Sequence, residues 1–120
     1  AAAPASALPT APAPAPSGLL QNDVTVDNLS IPKGGDLRFT MTIPSGVTYS
    51  EVMTINGKGN ADLYVKYGSE PTLKSYNCRS YHSGNKELCT WSNPKPGTYY
   101  ILVHARAAVT GLTIRAQWLP

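Results

Sequence analysis

Few side chains in this sequence are placed to break a covalent bond. The two histidines, His82 and His104, are separated by more than twenty positions. No HExxH segment presents two imidazoles to a zinc ion, and no GxSxG segment lifts a serine onto a strained elbow. A Ser–His–Asp relay would have to be assembled by the fold alone. His82, beside the Ser83-Gly84-Asn85 turn, reads as solvated. His104 lies in a strand rich in Tyr and Val and reads as a half-exposed strand residue. The carboxylates Asp23, Asp27, Asp36, Glu51, Asp62, Glu70 and Glu87 are never closely paired, so no glycosidase acid–base couple is signalled. We expect no catalysis.

Cys78 and Cys89 have the spacing of neither a CxxC redox pair nor a zinc finger, and two cysteines are too few for a structural zinc site. A disulfide closing a short surface loop is the reading adopted. It places the protein in an oxidising compartment and contributes about 2–3 kcal/mol through the unfolded chain. Two unrelated buried thiols are the alternative. The polar surroundings (Asn77, Arg79, Ser80, Lys86, Glu87) disfavour it.

Binding chemistry is better represented than bond-breaking chemistry. Seven tyrosines and two tryptophans stand against one phenylalanine. Such rings offer a flat apolar face with a polar tip, suited to stacking on sugar rings or on proline-rich strands. Strand alternation sends Tyr64, Lys66, Tyr100 and His104 to the face opposite Leu63/Val65 and Ile101/Val103. The cysteine arm adds Tyr81 and Trp91. These six residues are the expected binding set, and Tyr64, Tyr100 and Trp91 are expected to carry it if they share one exposed surface; rings on different faces would sink adhesion through them. The other reading is that these rings fill the sandwich or its rim.

The elements that must position them are strands. No ten-residue stretch has helical apolar spacing, and Gly or Pro interrupts every longer run. Asp36–Ile43 alternates cleanly, with Leu37, Phe39, Met41 and Ile43 on one face. Tyr49–Ile55 follows, with apolar residues on both faces. Asn56-Gly57-Lys58-Gly59-Asn60 is a turn requiring positive φ. Ala61–Tyr67 puts Leu63, Val65 and Tyr67 on one face. Tyr76–Tyr81 and Glu87–Trp91 form the two arms bridged by the disulfide. Thr98–Ala105 and Leu112–Trp118 close the fold as separate strands, with Tyr99 and Trp118 facing inward. With a short strand near Val24–Val26, about eight strands result, which predicts an all-β, antiparallel two-layer sandwich over residues 19–120.

Residues 1–18 differ in texture. Five of the eleven prolines fall there, alternating with alanine, and no charge does. This composition predicts an extended linker that holds two domains apart; a tail attached to nothing is the alternative. The rest of the chain is sparsely charged, with ten basic and seven acidic side chains. The basic residues are scattered singly, unlike the clusters that displace phosphate counterions, so nucleic acid is not an expected partner. No stretch approaches the roughly twenty apolar residues of a membrane span. The module is expected to act as a monomer.

Asn60-Ala61-Asp62-Leu63-Tyr64-Val65-Lys66-Tyr67-Gly68, then Tyr76-Asn77-Cys78-Arg79, Ser83-Gly84-Asn85, Glu87-Leu88-Cys89 and Pro96-Gly97-Thr98-Tyr99-Tyr100 together resemble the bacterial pre-peptidase C-terminal domain. The resemblance covers roughly Leu19–Trp118. It implies a jelly-roll-like sandwich at the C-terminal end of secreted proteases, collagenases and some polysaccharide-degrading enzymes, where it is non-catalytic. The expected partners are then an upstream catalytic domain and an insoluble polymer, collagen-like protein or polysaccharide, outside the cell. A secretion or maturation appendage cut away at the linker, or a structural or inhibitory domain, are the alternatives. The resemblance also raises calcium, which related collagenase modules bind near the domain entrance. The candidates are Asp23 and Asp27 there, with Asn60 and Asp62 at the glycine turn. Calcium needs six to eight oxygens, and no acid precedes Asp23. An Asx turn accounts for Asn60 and Asp62 equally well, so no cofactor is the leading expectation.

Overall fold

A computed structural model describes residues 18–120; the linker expectation for residues 1–17 lies outside them. Eight strands are present: β1 Gly18–Leu19, β2 Val24–Ile31, β3 Asp36–Ile43, β4 Tyr49–Ile55, β5 Lys58–Tyr67, β6 Cys78–Ser80, β7 Glu87–Ser92 and β8 Gly97–Leu119. The first layer runs β1-β3-β8-β5-β6 and the second β2-β8-β4-β7. Every ladder is antiparallel except β1 on β3. Gly18, which composition groups with the linker, already pairs with Phe39.

The closing strands differ from expectation. Thr98–Ala105 and Leu112–Trp118 are not separate: β8 is one strand of 23 residues. Its first part pairs with β3 and β5, and its last part with β2 and β4, so β8 belongs to both layers. Opposite the changeover the β5–β8 register shifts twice, between Lys58 and Ala61. Such bulges bend a strand without ending it. The glycine turn fits against this bend. Asn56 and Gly57 have φ of 70° and 74°, as the turn requires. A Cβ on Gly59 (φ 116°) would stand 2.1 Å from the Ala108 carbonyl oxygen, so only glycine allows this approach.

Between the layers lies one apolar core. Phe39, Met41, Ile43, Leu63, Val65, Ile101 and Val103 come from the first layer, and Leu29, Ile31, Val52, Leu112 and Ile114 from the second. Each such side chain contributes about 1.5–3 kcal/mol on burial. In β4, the strand with apolar residues on both faces, Ser50, Val52 and Thr54 turn inward. Thr54 Oγ1 donates to the Asn85 carbonyl at 2.8 Å, which meets the requirement of a buried hydroxyl.

Cys78 and Cys89 are bonded, with Cα atoms 6.1 Å apart. Their arms are not two sides of one loop, however. β6 pairs with β5 in the first layer and β7 with β4 in the second. The disulfide therefore staples the edge strands of the two layers.

Candidate functional site

Alternation holds on the outer face of the first layer. Asp62, Tyr64 and Lys66 of β5 lie opposite His104, Leu102 and Tyr100 of β8. That face is nonetheless covered. The segment 68–77 lies across it, anchored where Arg38 Nη1 donates to Glu70 Oε1 (3.0 Å) and to the Pro71 carbonyl (3.2 Å). Lys66 Nζ donates to Ser75 Oγ at 2.7 Å. Under this cover Tyr64 is 2% exposed and Leu102 1%. The Tyr76 ring meets Tyr64 edge-on at 5.5 Å. Tyr64, expected on an exposed surface, is a filled interior position. Tyr100 remains half-exposed on this face. Tyr81 is exposed beside β6, its ring 3.9 Å from the Arg79 guanidinium, a cation–π contact.

Trp91 is elsewhere. It lies in β7 of the second layer opposite Ser50, half-buried against the core. Tyr64, Tyr100 and Trp91 therefore do not share a surface. What Trp91 does meet is Tyr99, at 5.6 Å between ring centroids, and Tyr99 in turn meets Tyr67 at 4.9 Å. These three rings crowd one end of the sandwich, where the turn Asn93–Pro96 leaves β7 and enters β8. Two tyrosine hydroxyls hold that turn: Tyr67 Oη donates to the Pro96 carbonyl (2.8 Å) and Tyr99 Oη to that of Lys95 (2.9 Å). Burial pushes the Tyr99 phenol above its ordinary pKa, with Tyr67 adding to the effect. It stays a neutral donor at neutral pH. Gly97 leaves room for the Tyr67 ring; a Cβ there would stand 2.8 Å from Tyr67 Oη.

The result is an open cleft of about 420 Å³. Lys66, Tyr67, Asn77, Trp91, Lys95 and Tyr99 line it, together with Ser92, Asn93 and Pro94. Of the expected binding residues, Lys66 and Trp91 meet here. Tyr67 was missed because alternation places it on the inward face. It is on that face, but at the end of β5, beyond the point where the opposite layer covers it; Tyr99 is buried there, as its inward alternation predicts, and backs the cleft from the core side. The signal for this was the Pro94-Lys95-Pro96-Gly97 turn, which fixes where the strands stop.

A second polar group surrounds the buried Glu87. Its Oε1 accepts from Ser80 Oγ, from the His82 amide (3.0 Å), and lies 3.0 Å from His82 Nδ1. A serine, a histidine and a glutamate are thus together, but not as a relay. One carboxylate oxygen touches both partners, and the Nδ1 that faces it is also the ring nitrogen nearest the serine, at 3.5 Å. No imidazole stands between hydroxyl and carboxylate. The group ties loop 81–86 to β7. His82 is otherwise exposed, and His104 is half-exposed with Nδ1 2.7 Å from Asp36, both as the sequence suggests.

The calcium candidates do not converge. Asp62 is 1% exposed and lies 3.0 Å from Arg106 Nε. Burial, only partly offset by Arg106, raises its pKa. The Asn60 side chain lies 3.2 Å from the carbonyls of His82 and Gly84, and it donates to both when its amide is oriented with the nitrogen toward them. Asp27 accepts from Thr113 at 2.9 Å, and Asp23 lies 3.8 Å from Arg115. Among the described residues no three His, Cys, Asp or Glu side chains are grouped to hold a metal. The calcium expectation is not supported.

The model of the bacterial pre-peptidase C-terminal domain matches residues 35–105. The chain belongs to this family. It is 43% identical over 99 residues to an extracellular protease of Xanthomonas campestris pv. campestris, covering 82% of this chain and 17% of that one. To the hemagglutinin/proteinase of Vibrio cholerae it is 38% identical over 104 residues, 85% of this chain and 17% of that one. The chain therefore spans about a sixth of these proteases. Among solved structures, vEP C-ter 100 superposes with a TM-score of 0.69 at 37% identity, covering 83% of this chain and 98% of that one. The pre-peptidase C-terminal domain of a Bacillus anthracis collagenase follows the same fold, with a TM-score of 0.64 at 18% identity over 89% of this chain and all of that one.

Proposed function

We propose that residues 19–120 form a non-catalytic accessory module of a secreted protease, which holds its catalytic domain on an insoluble polymer through the Tyr67/Trp91/Tyr99 cleft. The carrying observation is that cleft: the exposed Tyr67 ring and the half-buried Trp91, backed by the buried Tyr99, beside a turn that two tyrosine hydroxyls brace. Kinship with minor portions of extracellular proteases supports an upstream catalytic domain on the same polypeptide. The disulfide supports an oxidising, extracellular setting. The Pro/Ala-rich residues 1–17 then serve as the tether, since Gly18 already pairs with Phe39.

Tyr64, Tyr100 and Trp91 do not share a surface, so adhesion through that set falls; it is proposed anew only on the cleft, beside a maturation appendage removed at the linker. The test is co-sedimentation of the chain with insoluble collagen, chitin, cellulose and de-esterified pectin gel. We expect weak retention on at least one, with a micromolar or weaker Kd, reduced by Tyr67→Ala. If no polymer retains the chain, the maturation appendage removed at the linker becomes the leading reading.

A further inference from the structure

The carboxylates of this molecule are already occupied. Asp36 and Glu70 meet Arg38, and Asp36 also meets His104. Asp23 and Glu51 meet Arg115, Asp62 meets Arg106, and Glu87 meets His82. Asp27 accepts from Thr113. Among the described residues no lysine enters an ion pair, and Arg79 meets tyrosine rings rather than a carboxylate, so the uncompensated charge is positive and resides on the lysines and Arg79.

Two of those lysines, Lys66 and Lys95, line the end cleft, and no Asp or Glu does; Lys66 Nζ also donates to Ser75 Oγ, whereas Lys95 Nζ lies 5.9 Å from the Tyr67 ring centroid. The other polar atoms there are mostly spent in one sense. Asn77 Oδ1 accepts from the Tyr67 amide at 2.7 Å, which leaves the Asn77 amide nitrogen as its available atom. The Lys95 and Pro96 carbonyls accept from tyrosines. The Asn77 and Asn93 amides donate to Val65 and Thr48, so these backbone groups cannot pair with an extended peptide. The Ser92 and Asn93 side chains add both donor and acceptor atoms, so the cleft offers aromatic rings, cations and polar side chains but no anion. Its complement is a ring with an apolar face and a negative charge.

We propose that the cleft is a subsite for an acidic polysaccharide, taking a carboxylated sugar ring against Tyr67 and Trp91 with its carboxylate toward Lys95 and Lys66. This rests on the adhesion reading above and narrows it to one polymer class. Exposed charges contribute modestly and are screened by salt, so binding weakens steeply as ionic strength rises.

The experiment measures retention of the whole chain on polygalacturonate, on its methyl-esterified form, on polyglutamate and on neutral cellulose and collagen, at low and high salt. Variants are Lys95→Glu in the cleft and Lys33→Glu as an exposed control outside it; neither side chain is buried. The expected result is retention on polygalacturonate that esterification abolishes and salt weakens. Lys95→Glu should weaken it about tenfold and Lys33→Glu about twofold or less. Equal retention on the methyl ester, equal retention on polyglutamate, or equal effects of the two lysine variants would each overturn the proposal. Salt-independent, Tyr67-dependent retention on collagen or cellulose alone would overturn it while leaving adhesion standing. Retention on nothing would remove both.

Discussion

Tyr64 and Tyr67 are three residues apart on one strand, and their surroundings are opposite. Tyr64 points outward from the sheet and is 2% exposed, under the segment 68–77. Tyr67 points inward and is 38% exposed, in an open cleft. Outward therefore means buried here, and inward means accessible. A strand's alternation fixes which side of the sheet a ring occupies. It does not fix whether a loop covers that side, or where along the strand the opposite layer stops. Both depend on contacts remote in sequence, such as Arg38 with Glu70 and Pro71.

The comparison breaks most readily at Tyr64. Tyr64→Ala should cost about 3–5 kcal/mol, as other large-to-small changes at filled positions do. The melting temperature should drop markedly, while the fraction still folded binds polymer as before. A change within 1 kcal/mol would mean that segment 68–77 does not cover the ring. A smaller loss is expected from removing the interlayer staple. The double replacement Cys78→Ser/Cys89→Ser should cost about 2–3 kcal/mol in denaturant unfolding.

The legible parts of the fold were those governed by local rules. The Phe39/Met41/Ile43 face follows from period two, and positive φ at Asn56 and Gly57 from turn chemistry. The disulfide follows from two cysteines in polar surroundings. The continuity of β8 was not legible, because Ala107–Gly111 carries the weak strand signals of a loop. The bulged pairing with Lys58–Ala61 and the pairing of Val109 with Ile31 make it strand. For the site, Trp91 and Lys66 were found as individual residues, but the surface uniting them was not. Their meeting depends on β7 and β5 ending at the same end of the sandwich.

Asp62 gives a smaller effect with a defined sign. It shares the covered layer with Tyr64, and burial holds its folded pKa above the ordinary 3.8. A raised folded pKa favours the protonated form. Its stabilising contribution is therefore full below pH 3.8 and is lost as pH rises through the folded value. Asp62→Asn removes that titration. Relative to wild type, the variant should become progressively more stable as pH rises from about 3.8, by denaturant midpoints across that range. A constant difference would mean that the carboxyl titrates as it does in the unfolded chain.

The smallest stability change should come from Tyr67→Ala, and it should carry the largest binding change. The ring is already partly in water, so removing it forfeits its edge contact with Tyr99 and one hydrogen bond to the Pro96 carbonyl. Together these amount to about 1–2 kcal/mol, against the 3–5 kcal/mol expected at Tyr64. The turn retains the bond from Tyr99 Oη to the Lys95 carbonyl, so the cleft should keep its shape. What it loses is the exposed ring, and polymer retention should fall several-fold at a temperature where the domain is fully folded. The two tyrosines then separate fold from function along a single strand: one replacement lowers the melting temperature and spares binding, the other does the reverse. If Tyr67→Ala left retention unchanged in every polymer assay that wild type passes, the open end of the sandwich would not be the binding surface, however aromatic it is.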